Sequence, residues 1–361
     1  MGALEEWIAE MFLVHSLNLL RFSADVQGKI VALMGAMSKE LAAKLGEGEV
    51  STYGKQRMAA LMRESNAVIA SHYSGMEAEA TRNLLGMTRI EADYTAKVLT
   101  QGLKIELGAK LPSATYLEKL VGDTLIKGAS SANWWKRQAL DTQFRFASQV
   151  RLGAAQGETT SQIVARVVGT SAKAAGGDAE VIPGILKTSE ANARALVHSS
   201  VQAVANAARL ASFQQNSDLI ECLVWLATLD SHTCLLCAMR DLHEYSLQDQ
   251  EPINHTHEWA GGPGAIHFSC RCVLSTRTKS FKDLGIELDE PGESTRPSDG
   301  GQVSSKMNFK DFLASKDKAW RAEYLGPGRA EMYEAGKITL NDLMNLKGRK
   351  LTLEELQAKY K

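Results

Sequence analysis

Residues 229–241 read LDSHTCLLCAMRD, and residues 263–274 read PGAIHFSCRCVL. Between Leu229 and Cys272 lie four of the chain's five cysteines and five of its eight histidines. The flanks, ECLVWLATLD (221–230) and CRCVLSTR (270–277), alternate or run apolar, the pattern of strands. The segment between them, 231–268, carries Gly261, Gly262, Pro263 and Gly264 and reads as irregular. A structureless segment of that length inside a compact domain needs something to tie it down.

The Cys234-x-x-Cys237 spacing lets one turn aim two thiolates at one ion, and His267, Cys270 and Cys272 offer a second arm. Zinc takes four nitrogen or sulfur ligands in a tetrahedron, commonly from two chain-separated pairs. Five candidates therefore compete for four places: Cys234, Cys237, His267, Cys270 and Cys272. The first choice is Cys234, Cys237, His267 and Cys272. Alternate residues of a strand face one side, so the spacing leaves Cys270 against Cys272 open. His243, His255 and His257 are reserves. A structural zinc would supply on the order of 10 kcal/mol of binding free energy to a segment with little core of its own. Plain buried thiols, redox chemistry and a catalytic metal are the competing readings. A redox pair should open a helix within a strand-helix-strand unit, and AMRDLHEY is a weak helix. A catalytic zinc keeps an open position and a general base, yet no His-Glu-x-x-His occurs. His257-Glu258 stands in the wrong order for the zinc deaminase signature. No catalytic residue and no organic cofactor site is expected; phosphate-loop, dinucleotide and nucleophile-elbow patterns are missing from the sequence.

Outward from this cluster the chain reads as helices. Leu4, Ile8, Met11, His15, Leu19, Phe22, Val26, Ile30, Leu33, Met37 and Leu41 recur in steps of three and four, one stripe of a long helix. GEGEVS (46–51) releases it. A second long stretch, about 52–103, comes next, with Gly75 and Gly86 as places where it could divide. Shorter helices are expected over SATYLEKLVGDTLIKG (113–128), over SANWWKRQALDTQFRFASQVRLGAAQG (131–157), with Trp134 and Trp135 near its start, and at 157–169. Another is expected over 188–216, capped by Thr188 or Ser189. The Trp134-Trp135 pair is expected to anchor into the core rather than stack on bases. Residues 287–306 have linker composition. In the tail, Thr352 with Glu355 has capping-box spacing.

The fold class expected is mainly α with a small α+β domain: long N-terminal helices, a zinc-knuckle-containing mixed domain and a helical C-terminal tail. The divisions are 1–110, 111–286, the linker 287–306 and 307–361. With 41 basic and 42 acidic residues the net charge is −1, so no global basic footprint for nucleic acid appears. No secretory leader pattern or apolar run of about 18 residues is present, and a soluble, unexported chain is expected.

Trp225, Asp230, Thr233, Cys234, Cys237, His267, Cys270, Arg271 and Cys272 together resemble the signature of the phage-Mu-F-like head morphogenesis proteins, minor head proteins of tailed phages. The GETTSQIVARVV and TSEANARA helices and the tail FLASKDKAWRAEYLGPGRAEMYEAGKITLNDL are similar to that family too. The resemblance covers roughly 115–361 and fades over 1–110. His232 departs from the arginine common before Thr-Cys, and the glycine-rich loop is longer than in many members. The resemblance implies a virion protein inside the head at the portal vertex, assembled in the host cytoplasm. Its implied partners are the portal protein, the major capsid protein and packaged DNA. The implied role is head assembly, with DNA packaging or ejection in some members. The long N-terminal helices suggest self-association. No enzyme activity is carried over, and no membrane is implied. The alternative is a zinc-dependent enzyme acting on nucleic acid at the phage head.

Overall fold

The apolar stripe of residues 4–41 becomes a single helix, α1 (Ala3–Leu45), with Leu4, Ile8, Val26, Ile30, Met37 and Leu41 at 0–1% exposure. Glu5 and Glu6 lie in its first turn, where the amide ends of the helix favour negative charge. The computed structural model describes residues 3–104, 108–170, 183–287, 294–345 and 349–360. The second stretch is also one helix, α2 (Lys55–Leu103). It does not divide at Gly75 or Gly86, since a glycine inside a long helix costs only about 1 kcal/mol and helical neighbours on both sides absorb it.

Then come α3 (Ala114–Asp123), the short hairpin β1 (Leu125–Ile126) and β2 (Ala129–Ser130), α4 (Ser131–Ala155), α5 (Thr160–Val168) and α6 (Ile185–Gln215). Helix α5 opens with a capping box between Thr159 and Gln162. Helix α6 starts before Thr188 and Ser189, so neither caps it. Ser189 is instead buried and hydrogen-bonded to Thr142 at 2.8 Å. Trp135 is a core anchor at 1% exposure, while Trp134 is half-buried and donates from Nε1 to the Ile126 carbonyl.

The mixed region contains β3 (Ile220–Leu226), the one-turn α7 (Leu235–Ala238), β4 (Glu244–Tyr245), β5 (Pro252–Ile253) and β6 (Val273–Thr278). They form one antiparallel sheet in the order β5-β4-β3-β6, with Trp225 opposite Leu274 and Leu226 opposite Val273. The segment expected to be irregular thus contributes two short strands. The expected linker is not one throughout: β7 (Thr295–Ser298) and β8 (Gly301–Ser304) pair as a hairpin inside it. Arg296 explains why a stretch poor in apolar residues is ordered. It is 2% exposed, and its guanidinium donates to both Asp241 carboxylate oxygens at 3.0 Å, to the Met307 carbonyl and to the Ala227 carbonyl. The tail has α8 (Phe309–Ser315), α9 (Lys318–Leu325), α10 (Pro327–Glu334) and α11 (Leu353–Lys359). Asn308, Asp317 and Thr352 cap three of them, Thr352 in the expected box with Glu355.

The class is as expected: mainly helical, with a small sheet region and a helical tail. The chain divides into two compact units, and neither is continuous in sequence. One comprises 1–19, 88–117 and 202–361; the other comprises 20–87 and 118–201. Residues 1–110 are therefore no domain of their own, because α1 and α2 each contribute to both units.

In the first unit, Leu4, Ile8, Phe12, Val98, Leu99 and Phe213 share a core with the inner residues of β3 and β6. A buried ionic triad crosses it. Arg209 of α6 pairs with Glu91 of α2, and His15 of α1 lies 2.8 Å from the same carboxylate. Burial would raise the Glu91 carboxyl, but the Arg209 charge and His15 prevail and hold it below the usual carboxylate value. In the second unit, Lys29 with Asn83, Glu40 with His72 and Lys44 with Glu64 pair α1 antiparallel to α2. Tyr73 there reaches Thr142 of α4 at 2.9 Å.

Candidate metal centre

Strand β3 ends at Leu226 and the chain turns at Asp230, whose carboxylate organises the 230–233 turn. Its Oδ1 accepts from the His232 N–H at 2.9 Å and the Thr233 hydroxyl at 3.3 Å. Arg271 closes a two-pronged pair on it, at 2.6 and 2.7 Å. Asp230 thereby ties the turn before Cys234 to the residue between Cys270 and Cys272. Burial alone would raise the Asp230 carboxyl, but hydrogen bonding and charge from Arg271 hold it below its ordinary value. Cys234 then caps α7, where the Cys237 and Ala238 N–H groups donate to the Cys234 carbonyl. That single turn puts both sulfurs on one side.

The second arm arrives through a tight passage. Gly264 has φ +82°, and a Cβ there would lie 2.7 Å from the Gln202 backbone of α6, so only glycine fits. Its N–H donates to Cys270 Sγ at 3.3 Å. His267 Nδ1 is 2.7 Å from the Phe268 carbonyl, which can only accept, so Nδ1 carries the proton. Nε2 lies 3.0 Å from Cys234 Sγ and 3.1 Å from Cys237 Sγ, so it can carry a second proton toward the sulfurs or, deprotonated, offer its lone pair to a metal. This tautomer is the one a metal-bound imidazole takes, with the distal N–H anchored on a carbonyl. Cys237 Sγ and Cys270 Sγ are 3.7 Å apart. Two sulfurs at ~2.3 Å from a shared tetrahedral zinc would be separated by ~3.8 Å.

The cluster can bind a metal. Cys234, Cys237 and His267 form one group whose ligand atoms lie within 4.8 Å of one another, and Cys237, Cys270 and Cys272 form another. Cys237 is common to both. Hydrogen bonding from Cys237 brings Cys234 down to about 5, with His267 adding to the pull. Cys270 is likewise lowered, by Cys237, Cys272 and His267. Burial opposes a charge on His267, but the sulfurs of Cys234 and Cys270 raise it to about 11. Cys237 and Cys272 go the other way, Cys237 pushed up by its bonds to Cys234, Cys270 and Cys272, and Cys272 by burial. Soft donors favouring their anionic form at two positions are what thiophilic ions require.

All five expected residues converge. Both Cys270 and Cys272 precede β6, so strand alternation does not decide between them. Cys270 touches Cys237 and influences His267, and Cys272, equally buried, lies in the same group with Cys237 and Cys270. The reserves His243, His255 and His257 stand apart as a stack of rings.

Two supporting residues escaped the sequence reading. Asn206 of α6 donates to the Cys272 carbonyl and accepts from the Leu274 N–H, fixing the second arm to the helix. Arg240 donates to the Glu258 and Leu236 carbonyls, closing the loop over α7. The available signal for Asn206 was a polar residue on the apolar face of α6. No signal marked Arg240.

No family model, curated protein or solved structure matches the chain. Among the described residues, no helix is long and apolar enough to cross a membrane.

Proposed function

We propose that the chain is a minor head protein of a tailed phage, of the Mu-F-like head morphogenesis class. The observation that carries this reading is the convergence of the residues that bear the resemblance. Asp230 pairs with Arg271, Thr233 hydrogen-bonds Asp230, and Cys234, Cys237, His267 and Cys270 face one another. Trp225 lies beneath them at 0% exposure. A motif met by chance has no reason to close on itself in this way.

The proposed metal is zinc, held by Cys234, Cys237, His267 and Cys270, with Cys272 as a neighbouring thiol. When bound, the ion joins the two arms and supplies stability. Four protein ligands leave no open position, which is the arrangement of a structural rather than a catalytic site. The protein's own groups do the rest: Asp230 and Arg271 set the spacing of the arms, and Asn206 ties the second arm to α6. The proposed role is a connector at the portal vertex inside the head, acting in head assembly and in DNA packaging or ejection. Portal protein is the proposed main partner, with major capsid protein and packaged DNA as further ones. The N-terminal helices are proposed to self-associate.

Quantitative mass spectrometry of purified particles, with the portal protein as internal reference, tests this reading. Between a few copies per particle and one per portal subunit is the expected result. Absence from mature particles would remove the virion reading.

A further inference from the structure

His243, His255 and His257 stack on one another. His243 is the middle ring, with centroid separations of 4.1 Å to His255 and 5.1 Å to His257 and interplanar angles of 19° in both cases. The trio is not among the groups whose ligand atoms gather within 4.8 Å of one another, so among the described residues it forms no metal site. His255 is neutral by its bonding. Its Nε2 donates to the Glu244 carbonyl at 2.8 Å, and its Nδ1 accepts the His257 backbone N–H at 3.2 Å. His243 Nδ1 is buried with no hydrogen-bond partner.

The walls around the stack are mostly aromatic. Tyr245 meets His255 edge-on at 4.9 Å, and Trp259 packs on both Tyr245 and Trp225. The charged groups around His243 are cationic or already engaged, while the exposed Glu258 carboxylate stands beside His257. Arg240 adds positive charge, Asp241 is held by Arg296, and Glu244 is held by Arg277. Lys310 and His243 line a cavity of about 380 Å³. His257 and Glu258 line a second, of about 450 Å³, which shares Met239 and Asn341 with the first. Solvent protons therefore have a route to His243 and to His257.

We propose that this stack is a proton-released clasp: neutral rings hold the 242–258 segment against β3, and a proton on any of them drives the rings apart and frees the segment. An imidazolium at His243, packed against two rings and beside Arg240, has its neighbouring carboxylates Asp241 and Glu244 already engaged, so little offsets its lost hydration. The backbone adds a spring. Leu242 and Asn254 sit at φ 61° and 59°, where a residue with a side chain is held only by its surroundings. Leu242 is kept there by its N–H bond to the Trp225 carbonyl at 2.7 Å.

Burial is the main cause that holds all three imidazoles below the ordinary histidine value, and for His243, with the two neighbouring rings adding to it, the value falls to about 3. An imidazole held low when closed takes up its proton more readily once the segment opens. The stabilisation is thus complete above about pH 6.5 and lost as the pH falls from there toward about 3. Fully expressed, His243 would raise the opening constant about 30-fold between pH 7.5 and 5, and its partial exposure reduces this to about tenfold.

Hydrogen exchange read by mass spectrometry on the full chain at pH 7.5 and pH 5, corrected for the intrinsic pH dependence of exchange, is the test. Protection across 242–258 should fall about tenfold on acidification, while peptides of α2 hold theirs. In His243→Phe, which keeps a flat ring but cannot titrate, the fall should shrink to the smaller part contributed by His255 and His257. His257→Phe, a change at a cavity rim that the fold tolerates more easily, should lessen the fall. An undiminished fall in both variants, no fall in the parent chain, or a uniform loss along the whole chain would each overturn the clasp.

Discussion

The α1–α2 pairing at 20–87 and the knuckle at 229–272 solve the same problem, holding two chain segments together, by opposite means. The helices spread the task over Val26, Ile30, Met34, Met37, Leu41, Leu61, Ile69, Met76 and Leu84, each replaceable at modest cost. The knuckle concentrates it in five ligand candidates, one carboxylate-guanidinium pair and one glycine passage. Distributed burial tolerates change and writes itself into the sequence as periodicity. Concentrated contacts tolerate little and appear in the sequence only as residue types and spacing. The lesson is that the two regions should fail differently.

The largest effect should come from replacing Cys234 and Cys237 by serine together. The metal is then lost, and with it on the order of 10 kcal/mol of binding free energy. Metal content by inductively coupled plasma mass spectrometry should drop to background, and amide protection should collapse over 229–272 while α1 and α2 keep theirs. A metal-free chain with an intact, protected knuckle would break the comparison, and an accompanying loss of some activity would favour a catalytic ion.

Arg296→Ala comes next. It strands the carboxylate of Asp241, whose side chain is wholly buried and keeps only backbone N–H partners at Ala227 and Phe309. Removing one partner of a buried ion pair typically costs about 3–5 kcal/mol. Urea unfolding should show that loss, whereas the paired replacement Arg296→Met with Asp241→Leu should recover much of it. If the single and paired variants are equally unstable, the hairpin owes its place to something other than charge pairing.

That hairpin also shows where sequence reading ends. The helices were legible because burial with a 3.6-residue period leaves a stripe, and Leu4 to Leu41 carried it unbroken. The Cys/His cluster was legible because metal chemistry restricts residue types and spacing. Residues 295–304 were not, since composition there reports only few apolar side chains. What orders them is one arginine reaching an aspartate 55 residues earlier in the chain. Asn206 and Arg240 were hidden for the same reason, as their bonds run to backbone carbonyls far along the chain. Strand alternation could not rank Cys270 against Cys272, because the strand begins after both.

A smaller effect is expected inside the helical region. Ile30→Ala removes a fully buried side chain from α1 and should cost about 2–4 kcal/mol, depending on how far the surroundings collapse. Protection along 20–87 should weaken while metal content stays at that of the parent chain. Loss of metal in this variant would mean that the two regions are energetically coupled, which would sharpen the contrast into an interdependence.

The smallest effect tests whether the tail belongs with the distributed or the concentrated kind. Thr352 accepts from the Glu355 N–H, and the Glu355 side chain reaches back to the Thr352 N–H, so the box opens α11 at both ends of one contact. Helix α11 spans only Leu353–Lys359, too short to persist on propensity, and Leu356 is its one fully buried residue. Thr352→Ala should therefore cost about 1 kcal/mol, and Thr352→Ser should cost little. Because Leu356 joins the cluster of Phe309, Phe312, Leu340 and Leu343, which also includes Leu235 of α7, fraying of α11 loosens one wall of the knuckle. Hydrogen exchange would show whether this reaches α7: protection unchanged at 235–238 means the tail merely covers that wall, and protection reduced there means the tail is part of what holds the knuckle closed.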